Sequence, residues 1–538
     1  MKRLVLTILL IAVAISFAGE PWRLTVMFNN DRHGGMAPGE ATFMNPETPP
    51  PLEKLPAEAR LIGKYREIAK ENNEGFLYLD QGDVYQGAPV GSLTRGEAIV
   101  VAYNTFMPDA VTVGNHEFDD GMDNFLSMLE SSDFTWLGAN LIDVETDQII
   151  EGLEPYIIRE FDMGNGKMLK VGIIGVTTKD TKTMSFPENT AGFKILDEAE
   201  TANRYAKELR EEHRVDFVIV SSHIGLPFDA MEAYQATAEI GAEHDEGHYG
   251  GMDQVELASK VEGVDVIFGG HIHVGYHRPW EDPRTHTLVF QNYAHGTGVG
   301  AIRFKFDPET KIFMGYETLA KDDALVTLFG DEFWPDPEMA QLVDSLQKDA
   351  EKGLAEVVGE ADGMLNRGGA QSNRVGHLVC DAMIDATGAD VSTTNMGGVR
   401  AEIGAGPITR ADVFNVMPFD NKVVVVPLTG QEIVEVIQRL AGKYTGALAG
   451  GIEVVYLTEE GAVQSMTIGG EPVDSAKTYK LATTDYLYYS YGIPQLEAVP
   501  KSKVEYTGML LRDAIERYIK KISPVSPKVD DRWKNIEE

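Results

Sequence analysis

Between residues 20 and 335, short apolar runs alternate with longer stretches in which apolar positions recur every three or four residues. The runs 24–28, 76–79, 110–113, 171–176, 217–220 and 264–268 have the length of strands and the continuous apolar character of strands buried on both faces. Amphipathic stretches between them, such as 57–71 and 198–212, predict helices. This alternation predicts an α/β domain with a layered, largely buried sheet. The segment 44–56 holds Pro46, Pro49, Pro50, Pro51 and Pro56 and reads as an extended loop. Phe333-Trp334-Pro335-Asp336-Pro337 then breaks the pattern. Asp336 is placed to cap a helix that begins at Pro337, and Met339, Leu342, Val343, Leu346 and Leu354 carry its apolar stripe over 338–356. A second α/β region opens at Asn366-Arg367-Gly368-Gly369 and runs to about residue 522. The tail beyond Pro524 is charged, contains proline and is expected to fray. The expected organisation is an N-terminal segment 1–18, a domain over 20–335, a connecting helix over 336–360, a C-terminal domain over 361–525 and a tail over 526–538.

Composition narrows the function. At 538 residues the chain is long for one domain. Its 84 acidic side chains exceed the 47 basic ones, for a net charge of −37. Such a surface repels nucleic acid and anionic membranes at long range. A phosphate-bearing substrate therefore needs local positive charge, from metal ions or a few arginines. Lys2 and Arg3 precede an apolar run over 4–17 that ends in Ser16-Phe17-Ala18, the layout of a secretory signal peptide. The run is too short for a comfortable transmembrane helix. No cysteine follows it, so no lipid anchor is expected there, and the expected location is periplasmic or secreted. Cys380 is the only cysteine, which excludes an intramolecular disulfide. It sits among Leu378, Val379, Ala382 and Met383 and reads as a buried helix residue, not a nucleophile.

The chemistry lies at the ends of the apolar runs. The first leads into Asn29-Asn30-Asp31-Arg32-His33-Gly34, the second into Asp80-Gln81-Gly82-Asp83, and the third into Gly114-Asn115-His116-Glu117-Phe118-Asp119. The run 217–220 leads into Ser221-Ser222-His223, and 264–268 into Gly269-Gly270-His271-Ile272-His273. Five of the predicted strands thus deliver Asp, Asn or His at their C-terminal ends, the edge at which open α/β sheets bind ligands. Imidazole and carboxylate donors together suit divalent manganese, iron, zinc or cobalt. Neighbouring glycines let the backbone turn sharply and keep bulk away from an ion.

Asp31-x-His33, Gly82-Asp83, Gly114-Asn115-His116-Glu117, His223 and Gly270-His271-Ile272-His273 resemble the signature of calcineurin-like metallophosphoesterases, and the string 114–119 resembles their 5′-nucleotidase branch. Thr394-Asn395-Met396-Gly397-Gly398-Val399-Arg400, Gly406-Pro407-Ile408-Thr409 and Val416-Met417-Pro418-Phe419-Asp420-Asn421 resemble the C-terminal domain of that family. The resemblance implies a four-layer α/β/β/α catalytic domain, a connecting helix and a C-terminal α/β substrate-binding domain. It also implies two divalent ions, one held by Asp31, His33 and His273, the other by Asn115, His223 and His271, with Asp83 bridging. His116 then approaches the phosphate and Asp119 orients it, while metal-activated water attacks in line. In the second domain, Asn395, Arg400, Phe419 and Tyr486 match positions that contact substrate. Asn421 follows Phe419 closely, and Arg367 offers a further cation. The implied activity is hydrolysis of nucleoside 5′-monophosphates to nucleoside and phosphate by a monomer or dimer. UDP-sugar hydrolysis and 2′,3′-cyclic-nucleotide phosphodiesterase (3′-nucleotidase) activity use the same metals. A thiosulfohydrolase relative replaces the Asn-His of the third motif, and a silent binding protein would have lost ligands. The chain departs from the family at Tyr488-Tyr489-Ser490-Tyr491-Gly492, where a small, glycine-rich run ending in an aspartate is usual.

Plainer readings stand beside these. Glu243-His244-Asp245-Glu246-Gly247-His248 reads as a solvated loop before it reads as a cation site. His277, His286 and His295 read as surface or packing residues. Tyr488, Tyr489 and Tyr491 suit a stacking wall, alternation along a strand or core packing. Asn421 also suits a turn, and Arg400 an interdomain salt bridge.

Overall fold

The computed structural model describes residues 20–536, apart from 42–43, 46–47, 165, 241–251, 321, 445 and 491. The apolar segment 1–18, the 243–248 loop and Tyr491 lie outside the described residues. Among the described residues no helix is long and apolar enough to cross a membrane.

The chain forms two compact units, one made of Met1–Gln86, Arg95–Lys182 and Glu188–Leu346, the other of Gly87–Thr94, Thr183–Pro187 and Gln347–Glu538. In the first, a 7-stranded and a 6-stranded sheet pack face to face. Period-two alternation within uniformly apolar strands explains the layering. In the strand Phe217–His223, Phe217 and Ile219 enter the inter-sheet core, while Val218 and Val220 face the outer layer. Val171 and Ile173 alternate in the same way with Ile174 and Val176. The sheets interlock through aromatic pairs, with Phe28 and Phe268 at 4.6 Å and Phe217 and Phe304 at 5.2 Å between ring centroids. Helices Glu198–Glu211 and Gln254–Lys260 cover the second sheet, and Leu55–Asn72 packs on the first. The unit is thus an α/β/β/α sandwich.

In the first sheet the strands Trp22–Asn29, Gly75–Asp80 and Ala110–Thr112 run parallel, as do Met168–Thr177, Phe217–His223 and Val266–Gly269 in the second. Parallel pairing sends all the candidate ligands of each sheet to one edge.

Asp336 caps the helix Pro337–Ala350, its Oδ1 accepting from the amides of Glu338 at 3.1 Å and Met339 at 2.9 Å. The helix ends at Ala350, before the predicted residue 356, and Gly353 follows at φ 89° in the turn beyond it.

The second unit is built on a 5-stranded sheet of Leu448–Gly450, Val391–Thr394, Thr478–Thr484, Lys422–Thr429 and Glu505–Leu510. Val423 and Val425 face helices Arg374–Thr387 and Leu511–Ile522, whereas Val424 and Val426 face helix Gly430–Tyr444. Cys380 is buried in this core, and burial pushes its thiol up to about 12, which suits a packing residue. The C-terminal tail corrects the expectation of fraying. Trp533–Ile536 adds a parallel strand to Ile452–Leu457, with Trp533 only 2% exposed. Beside it, Arg532 holds Asp381 through both terminal nitrogens, at 2.7 and 3.1 Å. A buried indole and a bidentate ion pair outweigh the tail's charge and proline.

Candidate metal centre and active site

Backbone geometry places the ligands before any metal is considered. Asp31, His33, Asp83, His271 and His273 all have positive φ, between 49° and 77°. Residues other than glycine rarely adopt this conformation, and it persists only where the surroundings enforce it. Here they do. Asp31 N–H donates to Gly82 O at 2.9 Å, His33 N–H to Asp83 O at 2.9 Å, and His295 N–H to Asp31 O at 2.8 Å. The loops approach so closely that a Cβ on Gly82 would lie 2.5 Å from Gly114 N, and one on Gly114 would lie 2.3 Å from Asp83 Oδ1. Only glycine fits at either place.

The side chains converge into overlapping groups. Ligand atoms of Asp31, His33 and His273 lie within 4.8 Å of one another, as do those of Asp83, His223 and His271, and those of His33, Asp83 and His116. Asp83 belongs to more than one group. His33 Nε2 faces His273 Nε2 at 2.9 Å and Asp31 Oδ1 at 3.8 Å. Asn115 Oδ1 lies 3.1 Å from His223 Nε2 and 2.9 Å from His271 Nδ1, and His223 Nε2 lies 3.0 Å from Asp83 Oδ2.

Hydrogen bonding on the far side of the rings shows that a cation fits. His33 Nδ1 is 2.6 Å from Gln86 O, and His223 Nδ1 is 2.6 Å from Gln81 O. A carbonyl oxygen only accepts, so Nδ1 carries the proton in each ring and Nε2 of the neutral ring presents a lone pair. Burial, reinforced by His273, pushes His33 well below the usual histidine range. Burial and His223 push His271 down to about 3. Burial alone would raise the Asp31 carboxyl, yet His273 and His223 hold it far below the ordinary carboxylate range. For His223 burial is outweighed by Asp83, which raises the ring to about 10. With a cation in place of the His223 Nε2 proton, imidazoles, carboxylates and an amide oxygen converging in this way form a donor set for divalent transition metals.

His116 and Asp119 lie on the 3₁₀ turn that follows Asn115, which brings residues three apart together. His116 Nδ1 is 2.6 Å from Asp119 Oδ2, and its amide donates to Asp83 Oδ1 at 2.8 Å. Sequence reasoning gave no role to Glu117. The structure buries it completely, where it accepts from the amides of Asp83 at 3.0 Å, Val84 at 2.8 Å and Gly114 at 2.6 Å. It pins the second ligand loop to the third, and burial followed by Asp83 pushes it up to about 7. Its place inside the Gly114–Asp119 string was the only signal. His295 is exposed, and its ring centroid lies 5.4 Å from those of His33 and His273, at the edge of the metal cluster. His277 and His286 are exposed and pair with Asp323 and Glu281, as surface residues do.

In the second unit the structure brings Arg367, Arg400 and Phe419 together. Arg367 Nη1 donates to Arg400 O at 3.1 Å, and the Arg400 guanidinium lies 5.9 Å from the Phe419 ring centroid. Asn395 precedes the turn Met396–Gly398 at the end of strand Val391–Thr394. Asn421 is buried, and its carbonyl accepts from the amide of the distant Leu511 at 2.8 Å. Tyr486 lies on helix Asp485–Ser490, partly buried against the C-terminal core. This segment is helical, not an alternating strand. Tyr488 is buried, while Tyr489 stacks beside Tyr506 with their hydroxyls 2.7 Å apart.

A four-layer α/β/β/α sandwich with these donors on one edge defines a metal-dependent phosphoester hydrolase. Comparison with known proteins agrees. The model for calcineurin-like phosphoesterases matches residues 52–275, and that for the 5′-nucleotidase C-terminal domain matches residues 354–493. Across these two matches the chain is similar to the 5′-nucleotidase family. It is 28% identical to the trifunctional nucleotide phosphoesterase protein YfkN of Bacillus subtilis, over 96% of this chain but only 35% of that protein. It is 27% identical to protein UshA of Escherichia coli, over 96% of this chain and 94% of UshA. Among solved structures, a 5′-nucleotidase precursor from Thermus thermophilus shares the fold with a TM-score of 0.78 at 24% identity, covering 96% of this chain and all of that one.

Proposed function

We propose that the protein is an exported dimetal 5′-nucleotidase, hydrolysing nucleoside 5′-monophosphates to nucleoside and phosphate. The convergence of Asp31, His33, Asp83, Asn115, His223, His271 and His273 supports this reading most strongly. In it, Asp31, His33 and His273 hold one ion, Asn115, His223 and His271 the other, and Asp83 lies between them. Divalent ions bound there supply charge stabilisation for the phosphoryl oxygens and acidify a water for attack. The chain's own contribution is to orient donors. His116, held by Asp119, donates to the phosphoryl oxygen on which negative charge grows. Arg400, Arg367 and Phe419, with Asn395, Asn421 and Tyr486, supply substrate recognition. The name of the Bacillus relative favours a nucleotide as the phosphate ester, and the basic-apolar pattern over 1–18 favours export.

A panel of nucleoside monophosphates, cyclic nucleotides and nucleotide sugars tests the assignment, with p-nitrophenyl phosphate as a generic ester. Nucleoside 5′-monophosphates are expected to give the highest kcat/KM. Arg400→Ala is expected to lower nucleotide turnover strongly while sparing the generic ester. Equal loss on both would make the second unit structural, and preference for a cyclic nucleotide or nucleotide sugar would replace the substrate named here. Protein recovered from the periplasm or medium with residues 1–18 removed checks export.

A further inference from the structure

The residue between the ligands Asp31 and His33 is an arginine, and its guanidinium is fully buried against an equally buried glutamate. Arg32 Nη2 donates to Glu58 Oε2 at 2.7 Å, and Arg32 Nε donates to the Tyr103 hydroxyl at 2.6 Å. Tyr103 in turn donates to Asp80 Oδ2 at 2.6 Å, and Asp80 Oδ1 accepts from the amide of Gly82 at 3.0 Å. The chain of donors therefore starts in the loop of Asp31 and His33 and ends beside Asp83. Glu58 Oε1 also accepts from Tyr78 Oη at 2.7 Å and from Asn29 Nδ2 at 2.9 Å. Each hydroxyl both accepts and donates, and the network ties two strands, two helices and both ligand loops together. A buried ion pair is a poor source of stability, because desolvation offsets its attraction. A buried network of directional bonds at this place, which leaves only Nη1 of the Arg32 guanidinium unpartnered, instead fixes geometry.

We propose that Arg32 and Glu58 are positioning residues for the first metal site, holding Asp31, His33 and Asp83 in their left-handed backbone conformations through Tyr103 and Asp80. This inference rests on the dimetal reading above. Neither residue touches an ion or the substrate in it. The network replaces the preference that non-glycine residues have for other backbone regions, so losing it lets the ligand loop relax away from the ion.

The test uses the full-length protein stripped of metal and titrated with Mn²⁺, followed by calorimetry and by the electron paramagnetic resonance of the bound ions. R32M/E58Q removes both charges together and leaves neither partner buried alone. It is expected to retain the fold and metal-free Tm of wild type. One of the two Mn²⁺ ions is then expected to bind about 10–100-fold more weakly, as outer-sphere losses generally do, so that the coupled-pair signal gives way to that of a single ion. R32K keeps the charge without the planar fork and is expected to restore affinity only in part. Wild-type affinity at both sites in folded R32M/E58Q overturns the proposal, as does a lowered Tm with unchanged affinity. If R32M/E58Q does not fold, Y103F removes the hydroxyl that joins Arg32 Nε to Asp80 and keeps the Arg32–Glu58 pair. Weakening of the same site by Y103F supports the proposal, and unchanged affinity overturns it. A wild-type protein that takes up no Mn²⁺ overturns the dimetal reading together with this one.

Discussion

At the scale of single residues, His116 separates catalysis from ligation. Its ring is oriented by Asp119 and its amide by Asp83, so removing the ring leaves the ligand loops tied. His116→Ala is expected to lower turnover about 10²–10³-fold, the usual cost of losing one donor to developing charge. Metal content by elemental analysis should stay at the wild-type level. Normal turnover would remove His116 from the machinery. A second prediction concerns Asp485, which burial pushes up to about 6 although it accepts from the amides of Lys422 and Tyr486. The folded protein keeps this proton where the unfolded chain has lost it. The group therefore subtracts from stability as pH rises from about 4 to about 6, by no more than about 3 kcal/mol, and the loss is complete above that window. Both amides donate to the same oxygen, Oδ1, which an asparagine carbonyl reproduces. Asp485→Asn is expected to raise Tm at pH 7 and to flatten Tm against pH between 4 and 6. An unchanged profile would show that this carboxyl ionises as it does in water.

At the scale of elements, period-two alternation explains why both sheets of the first unit are buried on two faces, and the parallel register explains why the ligands share an edge. Strands were legible because their apolar runs are uninterrupted, and the helix start at Pro337 was legible because Asp336 caps it. At Tyr488 and Tyr489 the sequence left a stacking wall, a strand and core packing open for a local reason. Three tyrosines suit a strand by propensity, but the helix Asp485–Ser490 buries Tyr488 against the core, and packing overrides propensity. The C-terminal strand was missed because polar residues surround a single apolar anchor. Trp533→Ala is expected to cost about 3–5 kcal/mol, the range for emptying a buried aromatic site. Chemical denaturation of the variant measures this, and a change below about 1 kcal/mol would mean the strand is held by Arg532 alone.

At the scale of the whole molecule, a chain without disulfides that gathers carboxylates and imidazoles at one sheet edge is expected to depend on metal for stability as well as for activity. Each ion at 100 times its dissociation constant stabilises the folded state by about 2.7 kcal/mol. For a protein of this size that is about 2 °C in Tm for each ion. Chelation should lower Tm by several degrees and abolish hydrolysis, and manganese, cobalt or zinc should restore both. Full activity in metal-free protein would sink the mechanism.

The sequence by itself determined the strand and helix alternation, the two-unit plan and the types of donor at each strand end. These are local properties, carried by periodicity and by motifs a few residues long. Only the tertiary structure decided that His295 lies against His33 and His273, that Glu117 pins two loops, and that Arg32 and Glu58 form one buried pair. Each of these joins residues far apart in the chain through the packing of separate strands and helices. Burial changes what a charged side chain can do, and no pattern of neighbours along the chain records it.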